Sequence, residues 1–212
     1  MPPRPPPACW KRSFPFSCGP AALGCVLVTL GWMPSGDGVG DDLEIWREST
    51  AVACPGANPI GLALAAERRG FTSAVRLSGL RPWLRAHIQS GHGFSRLAAY
   101  AAIERVLVRE CAGAQVPILR SEGPPRELEA GLLLVTATAG RSTERDPHWV
   151  GPLPTPDGLE ISDPLRSVAC RSDRSHREWW EKSGFEETRS RVTVAHRMLP
   201  SKPRSPVAVR PH

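Results

Sequence analysis

Three residues of the sequence could together supply a nucleophile and its activating groups: Cys18, His148 and Asp163. Cys18 precedes an apolar run, and Pro20 stands where the first turn of a helix tolerates a missing N–H group. A cysteine at a helix start lies at the positive end of the helix dipole, beside unpaired backbone N–H groups, and both favour the thiolate. The sequence thus predicts a reactive thiol at Cys18, with its own N–H directed at an oxyanion and Gly19 leaving space for substrate. A buried structural cysteine is the alternative that this segment alone leaves open.

His148 and Asp163 are predicted to meet across a β-hairpin. Strands are predicted at residues 149–153 and 159–163, joined by a Thr-Pro-Asp-Gly sequence that suits a type I turn. If His148 pairs with Asp163, the apolar residues of both strands lie on one face of the hairpin. In a half-buried hairpin, keeping the apolar residues on one face fixes the register. Because directly opposed Cβ atoms lie about 5 Å apart, Asp163 would accept a hydrogen bond from one imidazole nitrogen while the other faces a nucleophile. This arrangement activates a cysteine; a surface hairpin without function is the alternative.

The rest of the sequence predicts mainly helices in its first half and more strands in its second half. This order is typical of an α+β fold with a mainly antiparallel sheet. Apolar residues at helical spacing and cap residues, among them Asp41 and the pair Asn58-Pro59, predict the helices. The predicted helices span residues 18–32, 41–49, 60–69, 94–112, 124–130 and 178–184. Besides the hairpin, strands are predicted at residues 72–77, 116–119, 132–138 and 191–196.

The positive charge lies at the two ends of the chain. The formal net charge of the 212 residues is +6, yet residues 1–12 and 200–212 each carry three basic residues and no acidic one. We expect one domain at residues 12–199, between a disordered proline-rich segment at residues 1–11 and a disordered basic tail at residues 200–212. Because a nucleic-acid-binding domain would carry its charge on a folded face, no nucleic acid is expected as a partner.

No membrane span, cofactor or metal ion is expected. The longest apolar run, residues 21–33, is shorter than the ~20 residues that cross a bilayer. Residues 1–20 contain seven prolines and no apolar segment of a signal peptide. We therefore expect a cytoplasmic protein whose six cysteines are reduced thiols. The absence of CxxC and HxxxH pairs is evidence against a zinc site.

Several short stretches are similar, in combination, to those of one known family. Three contain the candidate residues: Ser17-Cys18-Gly19-Pro20-Ala21-Ala22-Leu23, His148-Trp149-Val150 and Ser162-Asp163-Pro164. Two more, Glu44-Ile45-Trp46-Arg47-Glu48 and residues 61–71, are similar to LWRE and GLALAAxRRGF sequences of that family. Over residues 12–197 the chain resembles the C39-type cysteine peptidases, and most closely their stand-alone bacterial branch, the peptidase C39-like family.

The resemblance implies a papain-like α+β fold, in which a helical half bearing Cys18 packs on a sheet half bearing His148 and Asp163. It also implies a cysteine peptidase with a Cys-His-Asp triad that acts on a peptide or protein substrate. In the best-known members of the family, this domain removes leader peptides, after a double glycine, from exported peptides. The sequence specifies neither the substrate nor an oligomeric state.

One position departs from the family pattern. The family usually has a glutamine six residues before the nucleophile, where its amide contributes to the oxyanion hole, and here that position is Arg12. Because losing such a donor typically lowers turnover by about 10²–10³-fold, two alternatives to an efficient peptidase stay open. One is a catalytically weak or inactive peptide-binding module. The other is an acyltransferase or amidase on the same papain-like scaffold.

Overall fold

The computed structural model has four helices and seven strands among the residues that it describes. These residues are 13, 17–34, 39–49, 57–77, 94–120, 130–137, 148–155, 158–164, 168–172 and 185–196. The helices are α1 (Cys18–Thr29), α2 (Val39–Ser49), α3 (Pro59–Arg68) and α4 (Phe94–Gly113). The strands are β1 (Phe71–Leu77), β2 (Ile118–Arg120), β3 (Gly131–Ala137), β4 (His148–Thr155), β5 (Gly158–Asp163), β6 (Val168–Ser172) and β7 (Phe185–His196).

The strands form a sheet in the order β2-β1-β7-β3-β4-β5-β6. Only β1 and β2 pair in parallel, and every other neighbouring pair is antiparallel. The prediction of an α+β fold with a mainly antiparallel sheet is therefore confirmed, while the papain-like arrangement implied by the resemblance stays a prediction. The sequence did not predict β6, and β7 begins six residues earlier than predicted. The helices predicted at residues 124–130 and 178–184, and both predicted disordered ends, lie outside the described residues.

Helix α1 is the central element of the core. Its residues 18–27 are all buried, and a helix that is apolar on every side is expected at such a position. It packs closely on β4, because a Cβ atom at Gly151 would lie only 3.0 Å from Cγ2 of Val26 and 3.3 Å from the carbonyl oxygen of Ala22. The glycine thus allows the strand backbone to approach the helix. The helix ends before Gly31, which has a φ of +93° and provides the left-handed conformation that favours glycine.

Helices α2 and α3 pack against α1 and against each other. As predicted, Asn58 caps α3, because its Oδ1 accepts a hydrogen bond from the N–H of Ile60 at 2.8 Å. The predicted cap of α2 is wrong: the helix begins at Val39, so Asp41 lies within its first turn. Gly61 permits close contact of the two helices, since a Cβ atom there would lie 2.6 Å from Cα of Ser49.

The two internal stretches that are similar to the C39-like sequences meet at Arg69. Its guanidinium forms ion pairs with Glu48 at 2.7 Å and with Glu44 at 3.4 Å, and it lies over the ring of Trp32 at 5.4 Å from the ring centroid. The side chain of Arg69 is only 8% exposed, so removing these carboxylates would leave a nearly buried charge without partners. These contacts hold the C-terminal end of α1 against α2 and α3, so the role of these residues is structural.

Candidate active site

Cys18 is the first residue of helix α1. The first intrahelical hydrogen bond runs from the N–H of Ala21 to the carbonyl of Ser17 at 2.9 Å. The N–H groups of Cys18 and Gly19 therefore have no acceptor within the helix, and Pro20 has no N–H group to satisfy. The sequence predicted this helix start, which places the sulfur of Cys18 at the positive end of the helix dipole. Cys18 is 8% exposed.

His148 and Asp163 are in direct contact, as predicted. The Nε2 atom of His148 lies 2.8 Å from Oδ1 of Asp163, and both residues are buried. Because Nε2 is engaged by the carboxylate, Nδ1 is the ring nitrogen left for Cys18. His148 is the first residue of β4 and Asp163 the last residue of β5, so the hairpin brings them to the same end of the sheet.

The register that led to this prediction is nevertheless wrong. The observed pairs are Gly151 with Ser162 and Thr155 with Gly158, and continuing this register sets Asp163 opposite Val150 rather than His148. A shift of two residues keeps every side chain on its face. His148 and Asp163 therefore become diagonal neighbours on one face, still within reach of a long side chain. The greater separation explains why the far nitrogen, Nε2, makes the contact.

The electrostatic environment favours a thiolate at Cys18. Burial is the largest influence and raises the pKa of the Cys18 thiol, whereas the hydrogen bond and positive charge of His148 lower it. Hydrogen bonds from the backbone N–H groups of Trp149 and Gly19 lower it further, so that the pKa lies below the ordinary value of a cysteine. A lowered thiol pKa is the property that distinguishes reactive cysteines from structural ones.

The same contacts favour a protonated imidazole at His148. Burial lowers the pKa of His148, but hydrogen bonds and charges from Asp163 and Cys18 raise it to about 9. At neutral pH the ring is therefore an imidazolium that donates one hydrogen bond to Asp163 and whose charge favours the thiolate form of Cys18. A thiolate beside an imidazolium is an activated nucleophile with its proton donor in place.

Comparison with known proteins identifies the family. A family model described as Peptidase_C39 like family matches residues 8–173, which is well over half of the chain. The chain belongs to this family. No curated protein and no solved structure matches it. The matched residues include Cys18, His148 and Asp163, so the resemblance inferred from the sequence motifs is confirmed.

In this C39-like protein, Trp149 joins strand β4 to the start of α1. Its indole Nε1 donates a hydrogen bond to the carbonyl of Ala57 at 3.2 Å, and its backbone N–H donates to the Cys18 sulfur. A Cβ atom at Gly19 would lie 3.0 Å from Cδ1 of Trp149 and 2.9 Å from Cβ of Ala57. The prediction that Gly19 leaves space for substrate is therefore wrong, because Trp149 and Ala57 occupy that space.

We expect Gly19→Ala to displace Trp149, and with it His148, from Cys18. Loss of these hydrogen bonds raises the pKa of Cys18, and once that pKa lies above 6, each further unit lowers the thiolate fraction at pH 6 about tenfold. The rate of iodoacetamide alkylation of Cys18 at pH 6 measures this fraction. Gly113→Ala is the control, because a Cβ atom there meets nothing within 4 Å. An unchanged rate in Gly19→Ala would contradict the positioning role of Trp149.

The remaining site residue predicted from the sequence, Arg12, lies outside the described residues. Its neighbour Ser13 donates a backbone hydrogen bond to Oδ2 of Asp42 at 3.0 Å. The sequence analysis did not identify Asp42 as part of the site. An acidic residue in the first turn of a helix is ordinary, and no local signal indicates a contact with a residue 29 positions away.

Cys25 and Cys111 are two further buried cysteines, and neither forms a disulfide bond, in keeping with the prediction of reduced cysteines. Burial, together with the negative charges of Glu110 and Glu67, raises the pKa of Cys111 to about 11. Cys111 therefore serves as an inert internal reference for Cys18.

Two further features bear on the chemistry of the site. Across the part of the chain that the structure describes, no group of three or more His, Cys, Asp or Glu side chains is arranged to hold a metal ion. Within the same residues, no helix is both long enough and apolar enough to cross a bilayer.

Proposed function

We propose that this C39-like protein is a cysteine peptidase that hydrolyses a peptide bond with Cys18, His148 and Asp163. The observation that carries the proposal is the position of His148, which hydrogen-bonds Asp163 through Nε2 and interacts with Cys18 on its other side. A nucleophile, a base and a group that orients the base make up the arrangement used by triad hydrolases on several unrelated folds. Membership of the Peptidase_C39 like family supports the same activity.

Acylation begins at the thiolate of Cys18. The sulfur attacks the carbonyl carbon of the substrate, an S–C bond forms, and the carbonyl electron pair moves to oxygen. The imidazolium of His148 then donates its proton to the nitrogen of the leaving amine as the C–N bond breaks. The products of this half are a free amine and a thioester on Cys18. Asp163 keeps the ring in the orientation that this transfer requires.

Deacylation returns the site to its starting state. The neutral imidazole of His148 accepts a proton from a water molecule as the water oxygen attacks the thioester carbonyl. The S–C bond breaks, a carboxylic acid leaves, and the thiolate of Cys18 forms again beside the imidazolium. Asp163 stabilises the charged ring in both halves of the reaction, consistent with the raised pKa of His148.

The negative charge that forms on the substrate oxygen needs hydrogen-bond donors. The backbone N–H of Cys18 is available because it has no partner within the helix. Arg12 stands at the position where the family usually has a glutamine, and we propose its guanidinium as the second donor. Its longer reach and different geometry favour a slower enzyme, which keeps a weakly active or inactive peptide-binding module as the second candidate function.

The experiment is a comparison of wild type with Arg12→Gln on a mixture of synthetic peptides, with cleavage products identified by mass spectrometry. We expect cleavage by wild type, lost in Cys18→Ala, and a gain of about 10²-fold or more in Arg12→Gln if the arginine is an imperfect donor. Binding of peptides without cleavage by either protein would support the binding module instead. Adding an amine acceptor distinguishes the third candidate, because an acyltransferase would yield an amide product in place of the acid.

A further inference from the structure

We propose that Asp42 is a positioning residue that holds Ser13 and Ser17, the residue before Cys18, and thereby directs the backbone N–H of Cys18 toward the substrate oxyanion. This proposal rests on the proposed function. Asp42 belongs to α2 and lies outside the triad, yet it is 1% exposed. Burying a carboxylate is costly unless it is hydrogen-bonded, so its partners indicate what it does.

Those partners are Ser13 and Ser17. Oδ2 of Asp42 accepts the backbone N–H of Ser13 at 3.0 Å. Burial raises the pKa of Asp42, whereas hydrogen bonds from the Ser13 backbone and from the side chains of Ser17 and Ser13 oppose that rise. One carboxylate therefore binds the residue that follows Arg12 and the residue that precedes Cys18.

Ser17 transmits this constraint to the nucleophile. It is fully buried, and its carbonyl accepts the N–H of Ala21 at 2.9 Å, which starts helix α1. Its side chain interacts with Asp42 on the other side. The peptide unit between Ser17 and Cys18 is thereby held from two directions, and this unit carries the N–H group that would face the oxyanion. Donors of this kind work only when placed within about 2.7–3.1 Å of the oxygen.

The thiolate depends on different contacts. His148, Trp149 and the N–H of Gly19 lower the pKa of Cys18, and Asp42 is not among the groups that shift it. Loss of Asp42 should therefore impair reactions that form an oxyanion and spare those that need only the thiolate. Alkylation by iodoacetamide displaces iodide at a saturated carbon and forms no oxyanion. Addition of a peptide aldehyde forms an S–C bond and places negative charge on the former carbonyl oxygen.

The test measures both reactions in wild type and in variants. In Asp42→Ala we expect the inhibition constant of a peptide aldehyde to increase by about 10²-fold, while the alkylation rate of Cys18 at pH 6 changes less than about twofold. Asp42→Asn should recover part of the aldehyde affinity, because its amide oxygen can still accept the Ser13 N–H. Asp41→Ala is the matched control, a buried acidic residue one position earlier in the same helical turn, and it should leave aldehyde affinity near that of wild type.

A structural readout accompanies these kinetics. Hydrogen exchange of the backbone amides of Ser13 and Ser17 should be faster in Asp42→Ala than in Asp41→Ala. Ser17→Ala, which removes one hydroxyl, is a milder variant in case Asp42→Ala fails to fold, and it should weaken aldehyde binding without changing alkylation.

Equal losses of alkylation and aldehyde affinity would overturn the proposal, because Asp42 would then act on general stability or on the thiol itself. Unchanged aldehyde affinity in Asp42→Asn, Asp42→Ala and Ser17→Ala would overturn it as well. Failure of the proposed function has a different signature: wild type would bind the aldehyde and respond to Asp42 substitution as described, yet cleave no peptide.

Discussion

Replacement of Cys18 by alanine is expected to abolish peptide hydrolysis. In the proposed mechanism, the sulfur of Cys18 is the atom that forms the covalent bond with the substrate. Removal of the nucleophile from a triad lowers kcat by a factor on the order of 10⁶. The measurement is the rate of release of a fluorogenic leaving group from a peptide that wild type cleaves, at equal concentrations of folded protein.

Cys25→Ala is the matched control for this substitution. Cys25 lies on the same helix, seven residues after Cys18, and is fully buried. Its replacement leaves a small cavity, which lowers the free energy of unfolding, and kcat should stay near the wild-type value. Hydrolysis that persists at the wild-type rate in Cys18→Ala would exclude Cys18 as the nucleophile.

Replacement of Asp163 by alanine is expected to lower kcat by a factor on the order of 10⁴, as for the acidic member of other triads. Two effects contribute. The imidazole of His148 loses the 2.8 Å contact that fixes its orientation, and the imidazolium loses a buried negative neighbour. Asp163→Asn keeps an acceptor for the Nε2–H group but loses the charge, so its kcat should lie between those of wild type and Asp163→Ala.

The pH profile separates these two effects. Asp163 helps to raise the pKa of His148 to about 9, and the protonated form is the one that donates to the leaving amine. Activity should therefore fall as the pH rises through about 9 in wild type, and this alkaline limb should move to lower pH in both Asp163 variants. Equal alkaline limbs in wild type and Asp163→Asn would show that the carboxylate charge does not act on His148.

Much of the fold could be predicted because its signals are local. Asn58 followed by a proline specifies the start of α3, and the apolar run after Cys18 specifies a buried helix. The Thr-Pro-Asp-Gly turn also placed β4 and β5 correctly. The pairing of Thr155 with Gly158 across this turn fixes the hairpin register. Matching the apolar faces of the two strands was not enough to fix this register, because registers that differ by two residues place the same side chains on the same face.

The parts of the site that were not predicted depend on contacts between distant residues. From the sequence, Gly19 was predicted to leave space for substrate. In the structure, its lack of a side chain makes room for Trp149, 130 positions later. Asp42 and Ser13 are 29 positions apart in the sequence, with helix α1 between them. No periodicity, cap or turn signal records such pairs, since they arise only when α1, α2 and β4 pack together.

The account depends most on the thiolate–imidazolium pair of Cys18 and His148, and the pH dependence of alkylation tests it most directly. Wild-type protein is treated with iodoacetamide between pH 5 and 10, and labelling of the Cys18 and Cys111 peptides is followed by mass spectrometry. Because the slope of rate against pH reports thiolate formation independently of access, the two buried cysteines can be compared.

For Cys18 we expect a rate that levels off between pH 5 and 9, because its pKa lies below the ordinary value, with a second change near pH 9 as His148 loses its proton. Cys111, with a pKa of about 11, should react about tenfold faster with each pH unit across that range. A Cys18 rate that instead climbs tenfold per unit across the same range, as for an ordinary thiol, would contradict the ion pair and the peptidase built on it.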